Sequence, residues 1–220
     1  MPNPLHPYYS LIKACEPFEA TLLAVTKTRK EKEIRDLYDM GQRHFGENKA
    51  QELVVKASLL PNDIHWHLIG HLQTNKVKPI LSYVWCIQSL DSLKLWQTID
   101  AEAKEANLTI NCLLQIKIAS EETKYGWNFE ELQSVLEKKD HVEFTNVRIT
   151  GVMGMASLTQ NQAQVRAEFK QLHEHFIQLR DQYFSERNDF NVLSMGMSGD
   201  FQIALEEGST MIRIGSLLFI

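Results

Sequence analysis

The sequence has few of the features that mark a secreted or membrane-spanning protein. Its three cysteines are widely spaced and form no C-x-x-C pair, which argues against a disulfide framework or a zinc site. We therefore expect reduced, half-buried thiols. No run of about 18 apolar residues occurs, and the amino terminus lacks a positive patch followed by an apolar segment. These absences predict a cytoplasmic protein without a membrane span.

Clusters of basic residues are also missing. The 220 residues include 23 Lys and Arg against 28 Asp and Glu, a formal net charge of −5. Because phosphate backbones are bound by clustered Lys and Arg, this balance argues against a nucleic-acid partner. A hydrophobic content of 44% is that of an ordinary globular protein, and no Pro-, Gly- or Ser-rich linker divides the chain. We predict a single domain, residues 1–220.

Apolar runs alternate with amphipathic stretches along the whole chain. Eight short runs predict strands, and a helical pattern follows each but the last. The runs begin at Leu22, His44, Ile64, Tyr83, Ile110, Val147, Val192 and Met211. Such alternation implies right-handed crossovers and a parallel sheet, and eight units close a (β/α)8 TIM barrel. A doubly wound open sheet is the alternative.

One extra helix is predicted ahead of the first strand, over residues 8–15. The sequence stops about where an eighth barrel helix would begin, so we expect this amino-terminal helix to cover that side of the barrel. Asp91 and Asn128 each stand where they can cap a later helix.

The first buried run ends in a lysine. Lys27 follows the apolar residues 22–25 and Thr26, and Thr28 with Glu31 has the spacing of a capping box that opens a helix. Ligands bind at the carboxyl ends of such strands. An amine there can be partly desolvated, which lowers its pKa and lets it attack an aldehyde. Lys27 is thus a candidate Schiff-base residue, with a solvated strand-end lysine as the alternative.

Small residues follow the last two predicted strands. Ser198 lies between two glycines after the seventh strand, and Gly215 and Ser216 follow the eighth. Barrels often bind phosphate with these two loops, where glycine lets amides approach the anion and a helix N-terminus adds a favourable dipole. We predict a phosphate site with a hydroxyl donor from Ser198 and amides from Gly215 and Ser216. Ordinary turn glycines are the alternative.

Three further polar residues are expected at the same end of the barrel. Asn48 follows the second strand and could donate to a ring substituent of a ligand or cap a helix. Lys124, after the fifth strand, could assist imine exchange or be a solvated loop cation. Arg213 ends the eighth strand, and a guanidinium can only donate. A ring nitrogen facing Arg213 would stay unprotonated and make the ring a weak electron sink.

Three histidines are grouped around the third strand. His65 and His67 alternate on one face, and His71 lies just beyond. A metal site would need further ligands and supporting partners. We interpret these histidines as structural and predict no metal.

Six stretches resemble the pyridoxal 5′-phosphate homeostasis proteins, which are related in fold to the amino-terminal barrel of alanine racemases. They are AVTK (24–27), GEN (46–48), WHLIGHLQTNK (66–76), KYG (124–126), LSMGMS (193–198) and GSTMIRIG (208–215). The family usually ends in Phe-Gly, whereas this chain ends Phe219-Ile220, a departure confined to the last residue. The resemblance implies a single barrel with the cofactor aldehyde on Lys27 and the ring nitrogen facing Arg213. The implied cofactor-binding set is Lys27, Asn48, Ser198, Arg213, Gly215 and Ser216.

Two functions fit this resemblance. In the first, the protein is a monomeric, non-catalytic carrier and regulator of pyridoxal phosphate, with PLP-dependent apo-enzymes or amino acids as further partners. In the second, it is an amino-acid racemase. Racemases of the related fold use a tyrosine base contributed with a second domain, and one barrel fills these 220 residues. We therefore expect a carrier with at most residual racemase activity. A third hypothesis is a phosphosugar-type barrel enzyme that uses no cofactor, but it gives Lys27 and Arg213 no shared function.

Overall fold

Eight parallel strands close into a barrel in the computed structural model of the chain, which describes residues 5–121, 125–139 and 143–219. Each strand pairs with the next, and β8 returns to pair with β1. The predicted TIM barrel is therefore confirmed, and the open sheet is wrong. The strands are β1 (Thr21–Val25), β2 (His44–Glu47), β3 (His65–Leu68), β4 (Val84–Leu90), β5 (Ile110–Gln115), β6 (Val147–Met153), β7 (Val192–Ser194) and β8 (Met211–Ile214).

Helices cover the outside of the barrel. In the described ranges they are α1 (Pro7–Cys15), α2 (Glu31–Asp39), α3 (Ala50–Leu59), α4 (Val77–Ile80), α5 (Leu93–Glu105), α6 (Phe129–Glu137), α7 (Gln162–Tyr183) and α8 (Phe201–Glu206). The main apolar core lies between these helices and the strands. None of the described helices combines the length and the apolar character needed to span a bilayer.

The extra amino-terminal helix is present as predicted. Tyr8, Leu11 and Cys15 form the buried face of α1, which contacts β1, the strand that pairs with β8. Pro7 occupies the first turn, where its missing N–H costs nothing. The helix therefore covers the outer side of β1, next to β8.

The helix after Lys27 begins later than the capping-box spacing indicates. Thr28 adopts a left-handed φ of 64°, which prolongs the loop. The cap of α2 is Lys30, whose backbone N–H donates to Glu33 Oε2 at 2.8 Å. The predicted pairing of Thr28 with Glu31 is wrong, and the turn leaves Lys27 on the loop rather than on the helix.

The predicted caps of the two later helices have different outcomes. Ser92, not Asp91, caps α5, and its Oγ accepts from Leu95 N at 3.3 Å. The carboxylate of Asp91 is instead bonded to His71 Nδ1 at 2.9 Å. Asn128 caps α6 as predicted.

The barrel interior is partly polar. Gln88 on β4 accepts from Ser194 Oγ on β7 at 2.7 Å. Since β4 and β7 are not neighbours in the barrel, this contact crosses the interior. Cys86, Leu113 and Met153 form a small apolar cluster separate from the main core. An interior that is not wholly apolar is unusual, because buried polar groups need hydrogen-bond partners.

The three cysteines are free and buried, more so than expected from the sequence. Burial raises the pKa of Cys15 to about 11 and raises the pKa values of Cys86 and Cys112 further. Thiols held in the neutral form are poor nucleophiles. The structure therefore places these residues in a packing role.

Three histidines lie together on β2 and β3. His67 Nε2 is 3.0 Å from His44 Nδ1, and His44 Nε2 is 3.4 Å from His65 Nδ1. In the described ranges, no three His, Cys, Asp or Glu side chains are arranged to hold a metal ion. Burial lowers the pKa of His44 to about 4 and lowers that of His67 well below its usual range. These rings are therefore neutral near pH 7.

We expect the free energy of unfolding to fall as the pH drops from about 6.5 to about 4. In that window His44 and His67 bind a proton in the unfolded chain but stay neutral in the folded protein. This difference lowers the free energy of unfolding by on the order of 2 kcal/mol for His44. Glu47 acts in the opposite direction, because burial raises its pKa and its contribution is lost as the pH rises. Urea unfolding at stepped pH measures the slope. A His44→Gln variant that keeps the wild-type slope would contradict this assignment.

Candidate cofactor site

A cavity of about 400 Å³ opens at the carboxyl ends of β1, β2, β7 and β8. Its volume lies in the usual range for small-molecule sites. All the residues predicted to bind a cofactor line it, namely Lys27, Asn48, Ser198, Arg213, Gly215 and Ser216. The closed barrel brings them together because β8 pairs with β1, which places the last loops beside the first.

A larger cavity, about 570 Å³, lies near the amino ends of β5 and β6 and contains none of these residues. Its two guanidiniums both face one carboxylate: Arg187 lies 2.8 Å and Arg148 3.7 Å from Asp189 Oδ2. The charges there are already paired. We therefore place the functional site at the carboxyl end of the barrel.

Lys27 enters the cavity from an anchored strand end. The preceding residue, Thr26, is fully buried, and its N–H donates to Gly46 O at 2.9 Å. Lys56 Nζ donates to Thr26 O at 2.8 Å and to Glu47 Oε1 at 2.6 Å. Lys27 itself is exposed, so the expected partial desolvation of this amine is not found. The strand end is fixed while the amine remains accessible.

Backbone amides without acceptors also line the cavity. Within the described part of the chain, the N–H groups of Ser198, Gly199, Gly215 and Ser216 donate to no other group. Ser198 and Gly215 are half-buried, whereas Gly199 and Ser216 are exposed. A set of open N–H donors around one cavity makes it a candidate anion site. Ser198 adds a half-buried hydroxyl.

The helix after β7 contributes less than the sequence suggested. Helix α8 spans only Phe201–Glu206 and begins after Asp200, whose Oδ1 accepts from Met197 N at 2.5 Å. An acidic residue thus stands at the start of this short helix. The candidate anion site therefore depends on the loop amides rather than on a helix dipole.

Asn48 faces the cavity with part of its amide unsatisfied. Its Oδ1 is buried and has no hydrogen-bond partner among the described residues. Lys49, not Asn48, caps α3, so the alternative role of Asn48 as a helix cap is wrong. Gly70 lies so close that a Cβ there would be 2.2 Å from Asn48 O. This contact fixes the backbone of Asn48, whose side-chain Oδ1 has no partner among the described residues.

Arg213 forms the floor of the cavity and is 4% exposed. It donates from Nη1 to Ser194 Oγ at 2.8 Å and from Nη2 to Gly154 O at 2.9 Å. Burial lowers the pKa of the guanidinium to about 10, which still leaves it protonated at neutral pH. The side chain is thus a fixed donor, and its predicted contact with a ring nitrogen stays a prediction.

Sequence reasoning missed several residues of the site. Gly199 lines the cavity beside Ser198, and its place in the same loop was the available signal. Apolar walls come from Val25, Ile69, Met155 and Met197. Lys124, which was considered for imine exchange, lies outside the described residues.

Comparison with known proteins identifies the family of the chain. The profile of the alanine racemase N-terminal domain matches residues 8–220. The pyridoxal phosphate homeostasis protein of Aquifex aeolicus (strain VF5) is 39% identical over 217 residues, covering 94% of this chain and 91% of the relative. PipY of Synechococcus elongatus PCC7942, solved without PLP, superposes with a TM-score of 0.90 at 35% identity, covering 97% of this chain and 98% of PipY. PipY solved with PLP bound gives a TM-score of 0.87 at 34% identity and the same coverage.

The fold and its match define a barrel of the alanine racemase N-terminal domain type. Within that type, the chain belongs to the family of pyridoxal phosphate homeostasis proteins.

Proposed function

We propose that this protein is a single-domain cytoplasmic carrier that binds pyridoxal 5′-phosphate as a Schiff base on Lys27. It holds the cofactor for cellular PLP homeostasis and releases it to apo-enzymes or free amines. The observation that carries this proposal is one cavity lined by both an accessible amine and a set of open backbone amides. PipY, at 34% identity over nearly the full chain, is described with PLP bound.

The donor set fits the groups of this cofactor. The amides of Ser198, Gly199, Gly215 and Ser216 hold the phosphate, because open N–H groups match its oxygens. The side-chain amide of Asn48, whose Oδ1 has no partner among the described residues, contacts a ring substituent.

The ring nitrogen faces Arg213, which is protonated and can only donate. When bound, the cofactor supplies an aldehyde that condenses reversibly with amines. A ring nitrogen kept unprotonated withdraws few electrons, so chemistry at a bound amino acid is restrained.

The same cavity argues against racemisation. A racemase removes a proton from one face of a carbon and returns one to the other, which takes two acid–base groups. Among the described lining residues only Lys27 and Arg213 are titratable, and the latter stays protonated near neutral pH. We expect single-enantiomer amino acids to keep their configuration when incubated with the loaded protein. Sustained racemisation that disappears in Lys27→Ala would overturn the carrier proposal in favour of a racemase.

Borohydride reduction of the protein loaded with PLP tests the binding mode. Reduction converts a Schiff base into a stable amine, so peptide mapping should find one pyridoxyl group, on Lys27. A protein whose absorbance is unchanged by PLP, or an adduct spread over surface lysines, would reject the proposal.

A further inference from the structure

Hydrogen bonds continue from Arg213 into the barrel interior. Ser194 accepts from Arg213 and donates to Gln88 Oε1 at 2.7 Å. The amide nitrogen of Gln88 is 3.0 Å from His67 Nδ1 and 3.1 Å from Met211 Sδ. All these residues are buried. The floor of the cavity is therefore connected to the middle of the barrel.

The chain of contacts ends at the opposite mouth. His67 Nε2 is 3.0 Å from His44 Nδ1, and His44 Nε2 is 3.4 Å from His65 Nδ1. His65 stacks on Trp85, with ring centroids 4.1 Å apart, and Trp85 is 48% exposed. A path of polar side chains thus crosses the barrel from the candidate cofactor site to solvent.

The donors along this path all point the same way. The amide of Gln88 donates to His67 Nδ1, so the proton of neutral His67 sits on Nε2. That N–H donates to His44 Nδ1, which places the proton of His44 on Nε2 as well. Burial keeps the pKa values of both rings low, so this arrangement persists at neutral pH. Hydrogen bonds aligned in one direction strengthen one another.

This alignment has a consequence for the buried guanidinium. Among the described residues no carboxylate forms an ion pair with Arg213, although the charge of Asp200 acts to raise the pKa of the guanidinium. A buried charge without a carboxylate depends on oriented dipoles around it. Ser194 is a better acceptor when it donates onward to Gln88, and Gln88 is held in orientation by His67.

We propose that Gln88 and His67 are positioning residues of the cofactor site, which orient Ser194 and thereby hold Arg213 against the ring nitrogen of PLP. They touch no ligand and act only through Arg213. This inference rests on the proposed function, since it takes the cofactor ring to lie over Arg213. It also assigns a role to the polar barrel interior, which packing alone would fill with apolar side chains.

The test compares Gln88→Met with Ser89→Ala. Methionine has a similar shape but removes both the acceptor for Ser194 and the donor to His67. Ser89 is the matched control, because it is fully buried next to Gln88 and its Oγ has no partner among the described residues. We expect Gln88→Met to weaken PLP binding about 10-fold and to shift the absorbance band of the Lys27 Schiff base. Ser89→Ala should leave both unchanged.

Histidine ring ¹⁵N spectra of the protein without cofactor give a second readout. Wild type should show His67 and His44 protonated on Nε2, and Gln88→Met should lose the fixed form of His67. Wild-type PLP affinity and absorbance in a folded Gln88→Met protein would overturn the inference. If that variant does not fold, a wild-type His67 with its proton on Nδ1 would overturn it too. A wild-type protein that forms no Schiff base would instead reject the proposed function.

Discussion

Replacing Lys27 with alanine is expected to abolish the absorbance band of the Schiff base and to leave no pyridoxyl peptide after borohydride reduction. Among the described residues that line the cavity, Lys27 carries the one primary amine. No other described lining residue can therefore form an imine with the aldehyde. PLP should still bind weakly through the open amides and Arg213, with an affinity lower by several orders of magnitude.

Two companion variants make this experiment specific. Lys27→Arg keeps the positive charge but cannot condense with an aldehyde. It therefore separates two contributions to PLP binding, the attraction of the phosphate to a positive charge and the formation of the imine. Lys30→Ala removes an exposed lysine from the same loop and should retain the wild-type band. Adding a small primary amine to Lys27→Ala should restore an imine in the cavity. A full Schiff-base band in Lys27→Ala alone would show that another lysine holds the cofactor.

The variant Gly151→Ala is expected to lose about 4 kcal/mol or more of the free energy of unfolding. Gly151 has φ +152°, and a Cβ there would lie 1.8 Å from Val192 O, a backbone atom that cannot move aside. The residue stands at a register shift between β5 and β6, where Gly151 also pairs with Val192 of β7. An alanine would push β7 away from β6.

Urea unfolding followed by circular dichroism measures the loss for Gly151→Ala. Gly199→Ala is the matched control for stability, because a Cβ at that position meets nothing within 4 Å. It should change the free energy of unfolding by less than about 0.5 kcal/mol. We also expect Gly151→Ala to bind PLP poorly, because displaced strands separate Gly154 and Ser194, the two acceptors of Arg213. Equal stability of the two variants would contradict this account.

The clustering of the candidate site residues was predictable because they lie at or just after strand ends. The carboxyl ends of parallel strands meet at one face, so Lys27, Arg213 and Ser198 could be placed together from their positions alone. Details that depend on local geometry were not predictable. The helix cap at Lys30 rather than Thr28 follows from a left-handed turn that the spacing of two residues does not reveal.

Gln88 shows the main limit of prediction from sequence. From the sequence, a glutamine in an apolar run is predicted only to be part of a strand. Its partners Ser194 and His67 lie 106 and 21 residues away in the chain. Only closure of the barrel turns these three side chains to one interior space. The same closure decided which amides remain open, because an amide loses or keeps its acceptor according to the strand that lies beside it.

The sequence by itself determined the fold class and the functional groups available for binding, because apolar periodicity and residue type are local properties of the chain. The tertiary structure alone decided how Arg213 is held without a carboxylate and how accessible Lys27 remains. Both depend on contacts between strands far apart in sequence, and the energies of such contacts are set by distance and burial rather than by order along the chain.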